Sequence, residues 1–140
     1  MKILFMCVAN SARSQLAEGL ARQYLPNAEI YSAGSSPSFL NPFAIRVMNE
    51  IEIDISKHYS KSVNDLPKEF IANLDFVITL CAEEVCPVLI TSAKKLHWPF
   101  PDPASHELLA EDVLLDRFRK ARESISHKIQ EFKNANFQTK

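Results

Sequence analysis

No single sign of charge dominates this chain: 16 Lys and Arg stand against 17 Asp and Glu in 140 residues, a formal net charge of −1. That balance excludes the broad basic field that nucleic acid or an anionic membrane would require, so any anion site must be local. Long hydrophobic runs are also missing, and nothing approaches the roughly 20 apolar residues of a membrane span. The opening stretch MKILFMCVANSARS has one lysine and an apolar run that stops at Cys7, too short for a signal peptide. A cytoplasmic protein without membrane or nucleic-acid partners is expected. Cysteine is scarce: Cys7, Cys81 and Cys86. In a reducing compartment an odd count of thiols disfavours a static disulfide framework and leaves core, catalytic or redox roles. His58, His97, His106 and His127 are scattered without the paired spacing of metal ligands, so no metal is expected. Internal repeats, low-complexity tracts and linkers are absent from the pattern.

What is present is the balance of one compact domain with a real core, 46% hydrophobic and 24% charged. Lys2 to Met6 is a short apolar run without alternation, which reads as a strand buried on both faces. From Ser14, SQLAEGLARQYL places Leu16, Leu20 and Tyr24 at helical spacing, and Pro26 closes the helix. Ala28 to Ser32 reads as a strand ending at Ala33-Gly34, and Pro42 to Ile51 as a helix capped by Asn41. Between them lies a polar loop containing Pro37. Asp75 to Leu80 is the strongest strand by composition and Lys94 to Trp98 a weaker one. Beyond Pro103, the apolar residues Leu108, Leu109, Val113, Leu114, Phe118, Ala121, Ile125, Ile129 and Phe132 form a helical stripe that should cover one face of the sheet. The sum is a single α/β domain, residues 1–133, with a central four-stranded parallel sheet flanked by helices and a frayed tail over 134–140. Such folds bind ligands beyond the carboxyl ends of their strands, where Cys7, Cys81 and the Asp102 loop fall.

Five residues, Val8, Ala9, Asn10, Ser11 and Ala12, separate Cys7 from Arg13, so the first strand turns directly into a helix. Backbone N–H groups of so tight a loop, with the helix N-terminus, make a concave site for a tetrahedral anion. The same donors and the Arg13 charge favour a thiolate, which makes Cys7 the candidate nucleophile. Arg13 can fork two oxygens of one oxyanion, and Ser14 can donate its hydroxyl to the sulfur. Asn10 suits a left-handed position that ties the loop to itself. A bare Cys-x5-Arg spacing arises by chance, but strand, loop and helix in this order narrow it. Pro101-Asp102-Pro103 holds a carboxylate on a stiff turn. Alone it reads as a turn starter, while beside an oxyanion loop it reads as a general acid. Cys81 and Cys86 stay open between buried small hydrophobes and redox thiols.

The stretch Cys7-Val-Ala-Asn-Ser-Ala-Arg-Ser14 resembles the signature loop of the low-molecular-weight tyrosine phosphatase superfamily. Within it the chain is similar to the arsenate reductases that use three cysteines, through SQLAEG (14 to 19), YSAG (31 to 34), NPFAI (41 to 45), IDIS (53 to 56), VITLC (77 to 81), HW (97 to 98) and DPA (102 to 104). The resemblance implies that Cys7 attacks arsenate, with phosphate or sulfate as competing oxyanions. It implies a relay in which Cys81 attacks Cys7, Cys86 then attacks Cys81, and the 82 to 93 segment moves. No bound cofactor is implied. An external thiol reductant, thioredoxin or glutaredoxin with glutathione, regenerates the monomeric enzyme. Phosphatases of this fold carry an aromatic residue after their Asp-Pro, where Ala104 stands here. Ala9 and Ala12 replace a glycine and a cysteine common in the loop, and the interval from Cys81 to Cys86 is short. Some relatives bind potassium near the loop. Asn10, Glu18 and Ser32 match its ligands, but Lys61 takes the place of an acidic one, so its ammonium is expected to replace the ion. The alternatives are a low-molecular-weight tyrosine phosphatase needing only Cys7, Arg13 and Asp102, and a non-catalytic module that senses oxyanions or redox state.

Overall fold

The computed structural model describes residues 1–82, 88–104 and 109–137. Cys86, together with Leu108 of the helical stripe, lies outside the described residues.

The chain runs β1 (Lys2–Cys7), α1 (Arg13–Tyr24), β2 (Glu29–Gly34), α2 (Pro42–Asn49), α3 (Lys68–Ala72), β3 (Phe76–Thr79), β4 (Lys94–His97) and α4 (Glu111–Asn136), with a 3-10 turn at Val63–Asp65. The four strands form one sheet in the order β2-β1-β3-β4, and every pairing is parallel. The expected α/β architecture is therefore the observed one. β1 lies in the middle, and its unbroken apolar run divides by the period of two that a strand imposes. Ile3 and Phe5 enter one core with Leu16, Leu20, Val47, Met48, Phe118, Ile125 and Ile129 of α1, α2 and α4. Leu4 and Met6 enter a smaller core on the other face with Leu66, Phe70 and Leu74.

Some boundaries differ from the sequence reading. β2 starts at Glu29 and not at Ala28, and it ends as expected at Gly34, where Met6 and Cys7 pair with Ala33 and Gly34. α2 stops at Asn49, after which Glu52 adopts φ 62 and Ile53 donates back to the Met48 carbonyl. β4 ends at His97; the Trp98 N–H still donates to the Thr79 carbonyl at 2.8 Å, and its ring packs against Phe5 and Phe132. In α4 the buried line is Phe118, Ile125, Ile129 and Phe132. Val113 is 42% exposed. Five residues before Phe118, at 100° per residue, it sits about 140° around the helix from that line. The helix carries on to Asn136, whose side chain donates to the Phe132 carbonyl. The 3-10 turn and α3 were not legible from periodicity, being too short to show one. Their signals were Ser62 and Asp65, which cap each other reciprocally, and Pro67 at the N-cap of α3.

Candidate active site

Cys7 ends β1, and Leu80, the residue before Cys81, donates its N–H to the carbonyl of Met6, the residue before Cys7, at 2.9 Å. Adjacent parallel strands thus deliver both cysteines to the same edge of the sheet. Cys7 is a buried free thiol, and Cys81, also buried, is disulfide-bonded. The chain then turns through residues 8–12 into α1 beside a cleft above Cys7. That cleft, of about 390 Å³, is lined by Cys7, Ala9, Ser11, Ala12 and Arg13 from the loop, Ser38, Phe39 and Asn41 from the segment after β2, and Asp102 and Ala104. The sequence reading named the loop and Asp102; it did not anticipate Ser38 or Phe39, which reach the cleft only through the tertiary fold.

The loop is held from behind by a directed set of hydrogen bonds. Asn10, wholly buried, takes φ 49, the left-handed conformation its short amide tolerates. Its carbonyl oxygen accepts from the Lys61 N–H at 3.0 Å and from Gln15 Nε2 at 3.1 Å. That leaves its Nδ2, which only donates, facing Ser14 Oγ at 2.7 Å and Ser32 Oγ at 3.0 Å. Ser14 therefore accepts from Asn10, and its Oγ lies 2.9 Å from Cys7 Sγ, to which its hydroxyl donates when Cys7 is a thiolate. Ser32 likewise accepts from Asn10 and donates to Glu18 Oε1 at 2.6 Å. The result is a polar chain that runs from the buried Glu18 carboxylate to the Cys7 sulfur.

Glu18 has two cationic neighbours, Arg22 at 3.1 Å and Lys61 Nζ at 3.6 Å, and His58 Nδ1 lies 3.5 Å away. Lys61 is 5% exposed, and burial lowers its pKa from the ordinary 10.5 despite Glu18. His58 is lowered from 6.5, mainly by burial, with Glu18 opposing. The residues do not fit a potassium ion: Asn10, Glu18 and Ser32 converge, but the Lys61 ammonium stands against the carboxylate, and a second cation would meet its charge. Among the described residues no group of three or more His, Cys, Asp or Glu side chains could hold a metal.

Arg13 is 5% exposed. Its Nη1 donates to the Phe100 carbonyl at 3.0 Å, which orients the guanidinium across the cleft. Its Nη2 lies 4.0 Å from Asp102 Oδ2. The other carboxylate oxygen, Oδ1, accepts from the Ala104 N–H at 3.0 Å, so Asp102 both starts the turn and presents an oxygen to the cleft. The two readings of this aspartate are compatible. Gln15, His58 and Ser60 were missed by the sequence reading. Gln15 also donates to the Asn10 and Tyr59 carbonyls, and Ser60 donates to the Ala9 carbonyl at 2.7 Å. Their effect on the site passes through loop geometry, which leaves no mark in sequence spacing.

Residues 2–138 match the family described as low molecular weight phosphotyrosine protein phosphatase. An arsenate reductase of Shouchella clausii is 41% identical over 133 residues, 93% of each chain. A solved arsenate reductase in its phosphate-binding state superposes with a TM-score of 0.75 at 28% identity, covering 96% of this chain and 98% of that one. The thioredoxin-dependent arsenate reductase of Corynebacterium glutamicum gives a TM-score of 0.69 at 28% identity, covering 95% of this chain and 60% of that one. With the loop from Cys7 to Arg13 and the Asp102 turn set on a four-stranded parallel sheet, the chain belongs to the low molecular weight phosphotyrosine protein phosphatase family, among relatives that are arsenate reductases.

Proposed function

We propose that this protein reduces arsenate to arsenite. The observation that carries the reading is the delivery of Cys7 and Cys81 to one sheet edge by neighbouring strands, with Cys7 free at the floor of an oxyanion-sized loop. A phosphatase needs the first thiol and has no use for the second.

Arsenate enters with its oxygens toward the loop N–H groups and the Arg13 fork, donors already in place for the charge that develops. Cys7 thiolate attacks arsenic. A hydroxyl leaves as water with a proton from Asp102, and a Cys7–S–As(V) adduct remains. Cys81 thiolate then attacks Cys7 Sγ. The S–S bond forms, the S–As bond breaks, and its electron pair stays on arsenic, which departs as arsenite. Cys86, outside the described residues, attacks Cys81 and frees Cys7. The Cys81–Cys86 disulfide is then reduced by thioredoxin, or by glutaredoxin and glutathione. No cofactor is bound, and the protein works as a cytoplasmic monomer. The disulfide state of Cys81 beside the free Cys7 supports this order of events. Ser14 Oγ, 2.9 Å from the sulfur, stabilises Cys7 as thiolate and as leaving group by donating its hydroxyl.

The test is arsenate-dependent NADPH consumption with thioredoxin and its reductase, then with glutathione and glutaredoxin. Wild type is expected to turn over with one system, and Cys7→Ser, Cys81→Ser and Cys86→Ser are each expected to stall. Hydrolysis of an aryl phosphate that is indifferent to loss of Cys81 and Cys86, with no response to arsenate, would overturn the reading.

A further inference from the structure

Every carbonyl of the loop between β1 and α1 is already engaged. That of Val8 accepts from the Ser36 N–H at 2.9 Å, that of Ala9 from Ser38 at 3.2 Å, that of Ser11 from Asn41 at 3.0 Å and that of Ala12 from Leu16 at 2.9 Å. The Asn10 carbonyl accepts from Gln15 Nε2 at 3.2 Å. The segment after β2 is thus laced to the anion loop, and Asn41, at the end of that segment, is held against Ser11 while it lines the cleft above Cys7.

Asn41 is also the N-cap of α2, and its polar groups can be accounted for one by one. Its N–H goes to Ser11, and its carbonyl accepts from Ala44 at 3.1 Å and Ile45 at 3.3 Å. Its Oδ1 accepts from the Phe43 N–H at 2.9 Å. Only the oxygen of an amide can accept, so that bond fixes which way the amide lies and sets Nδ2 on the side away from Phe43. Among the described residues nothing accepts from Nδ2, which keeps two hydrogens to donate. Capping needs the oxygen alone: Asp and Ser cap a helix about as well as Asn. An aspartate would also complement the positive end of α2, whose first turn has no acidic residue, but it would set a negative charge on the wall of an anion cleft. The amide caps the helix and leaves the cleft a neutral donor.

We infer that Asn41 is an oxyanion-binding residue, its Nδ2 donating to a non-leaving oxygen of the bound anion beside the donors of the loop and Arg13. For turnover the inference rests on the proposed reductase chemistry; for binding it does not. The oxygen concerned stays on arsenic from arsenate through the Cys7 adduct to arsenite. The hydrogen bond is therefore made in the ground state as much as in the transition state, and it acts on affinity instead of on the chemical step.

The experiment separates the donor from the cap. Asn41→Ser and Asn41→Asp both keep a capping oxygen and lose Nδ2, the aspartate at the same size. The reduced wild type and both variants are titrated calorimetrically with inorganic phosphate, and their melting temperatures are compared. Phosphate affinity is expected to fall by about tenfold or more in Asn41→Ser, the scale of one hydrogen bond to a charged group. It should fall further in Asn41→Asp, whose charge repels the anion. Both variants should melt close to wild type, because the cap survives. In arsenate-dependent NADPH consumption KM is expected to rise by a similar factor, with kcat changed by no more than about threefold. Phosphate binding as tight as wild type in either variant that keeps its melting temperature would overturn the inference and leave Asn41 a cap alone. Failure of wild type to bind phosphate, or a loss of kcat at constant KM, would overturn it too. Weaker phosphate binding in both variants, with no arsenate turnover in wild type, sinks the reductase reading and leaves the donor standing. Arsenate turnover with undiminished phosphate binding in the variants sinks the donor alone.

Discussion

Gly34→Ala is a substitution of one methyl group that should disable the loop without touching any side chain named in the mechanism. Gly34 closes β2 in register with Cys7, and its N–H donates to the Lys61 carbonyl at 2.9 Å. A Cβ there would lie 2.4 Å from the Val8 oxygen, 2.9 Å from the Asn10 nitrogen and 3.0 Å from the Cys7 oxygen. All three are backbone atoms of the nucleophile loop, so no rotamer change relieves the clash. Recovering an ordinary contact of 3.4 Å requires the loop and β2 to part by about 1 Å. Overpacking against rigid neighbours costs about 2–3 kcal/mol. At roughly 4 °C per kcal/mol for a domain of this size, Tm should fall by about 8–12 °C. A shift of about 1 Å in a catalytic loop also costs on the order of 100-fold in turnover. Gly19→Ala is the control. Its Cβ meets the side-chain tips Ile55 Cγ2 and Met48 Cε, both at 2.8 Å, in the core between α1 and α2. Those tips can give way, and the gain of about 1 kcal/mol in helix propensity offsets part of the strain. Thermal melts and arsenate turnover of both variants decide the matter. Gly34→Ala with Tm within about 2 °C of wild type and turnover within about twofold would refute the close-approach argument.

Other consequences follow from the charges. Burial holds His58 below its ordinary 6.5, so the unfolded chain takes up a proton that the folded one refuses. The stability this represents is full above about pH 6.5 and is lost as pH falls through the folded value. Urea midpoints between pH 7.5 and 5 should fall in wild type and less steeply in His58→Gln. Glu50 is lowered from 4.5 to about 2, chiefly by its hydrogen bond from Arg119 and also by Arg122, which ties α2 to α4. Its contribution is present above pH 4.5 and disappears as pH falls toward 2. Because the carboxylate is 35% exposed, solvent screening leaves about 1 kcal/mol, measurable as the stability loss of Glu50→Gln at pH 7 that vanishes near pH 2. Lys61→Ala leaves Glu18 with Arg22 and Ser32 but without its ammonium, a loss of about 2–3 kcal/mol after allowing for the burial cost of the lysine itself. The space vacated should make the variant's Tm respond to potassium chloride and not to choline chloride; equal response to both salts would count against it.

Much of the architecture was legible because it depends on local rules. The unbroken apolar run before Cys7 can be satisfied only by a strand covered on both faces, and the helical stripe of α4 only by a sheet beneath it. The loop was legible for the same reason. A strand, a tight turn and a helix in immediate succession confine the backbone N–H groups to one concave surface, whatever the rest of the chain does. Asn10 in a left-handed turn and Asn41 as the cap of α2 followed from the stereochemistry of single residues.

What only the tertiary structure decided are relations between segments distant in sequence. Both glycines of the chain are required by close approach, Gly34 to the nucleophile loop and Gly19 to the side chains of Met48 and Ile55, and no spacing rule foretells which neighbour will come so near. The hydrogen bond that Ser14 accepts comes from Asn10, whose amide is oriented by Lys61 from 51 residues away. Phe39 lies in a polar loop without periodicity, and only its backbone pairing with the nucleophile loop turns it into a wall of the cleft. The sequence by itself determined the sheet, the longer helices α1, α2 and α4, and the strand, loop and helix that hold Cys7, because periodicity and turn stereochemistry act over a few residues. The fold decided how each hydrogen bond is directed and what else can enter the site, because those depend on which distant surfaces are brought within contact.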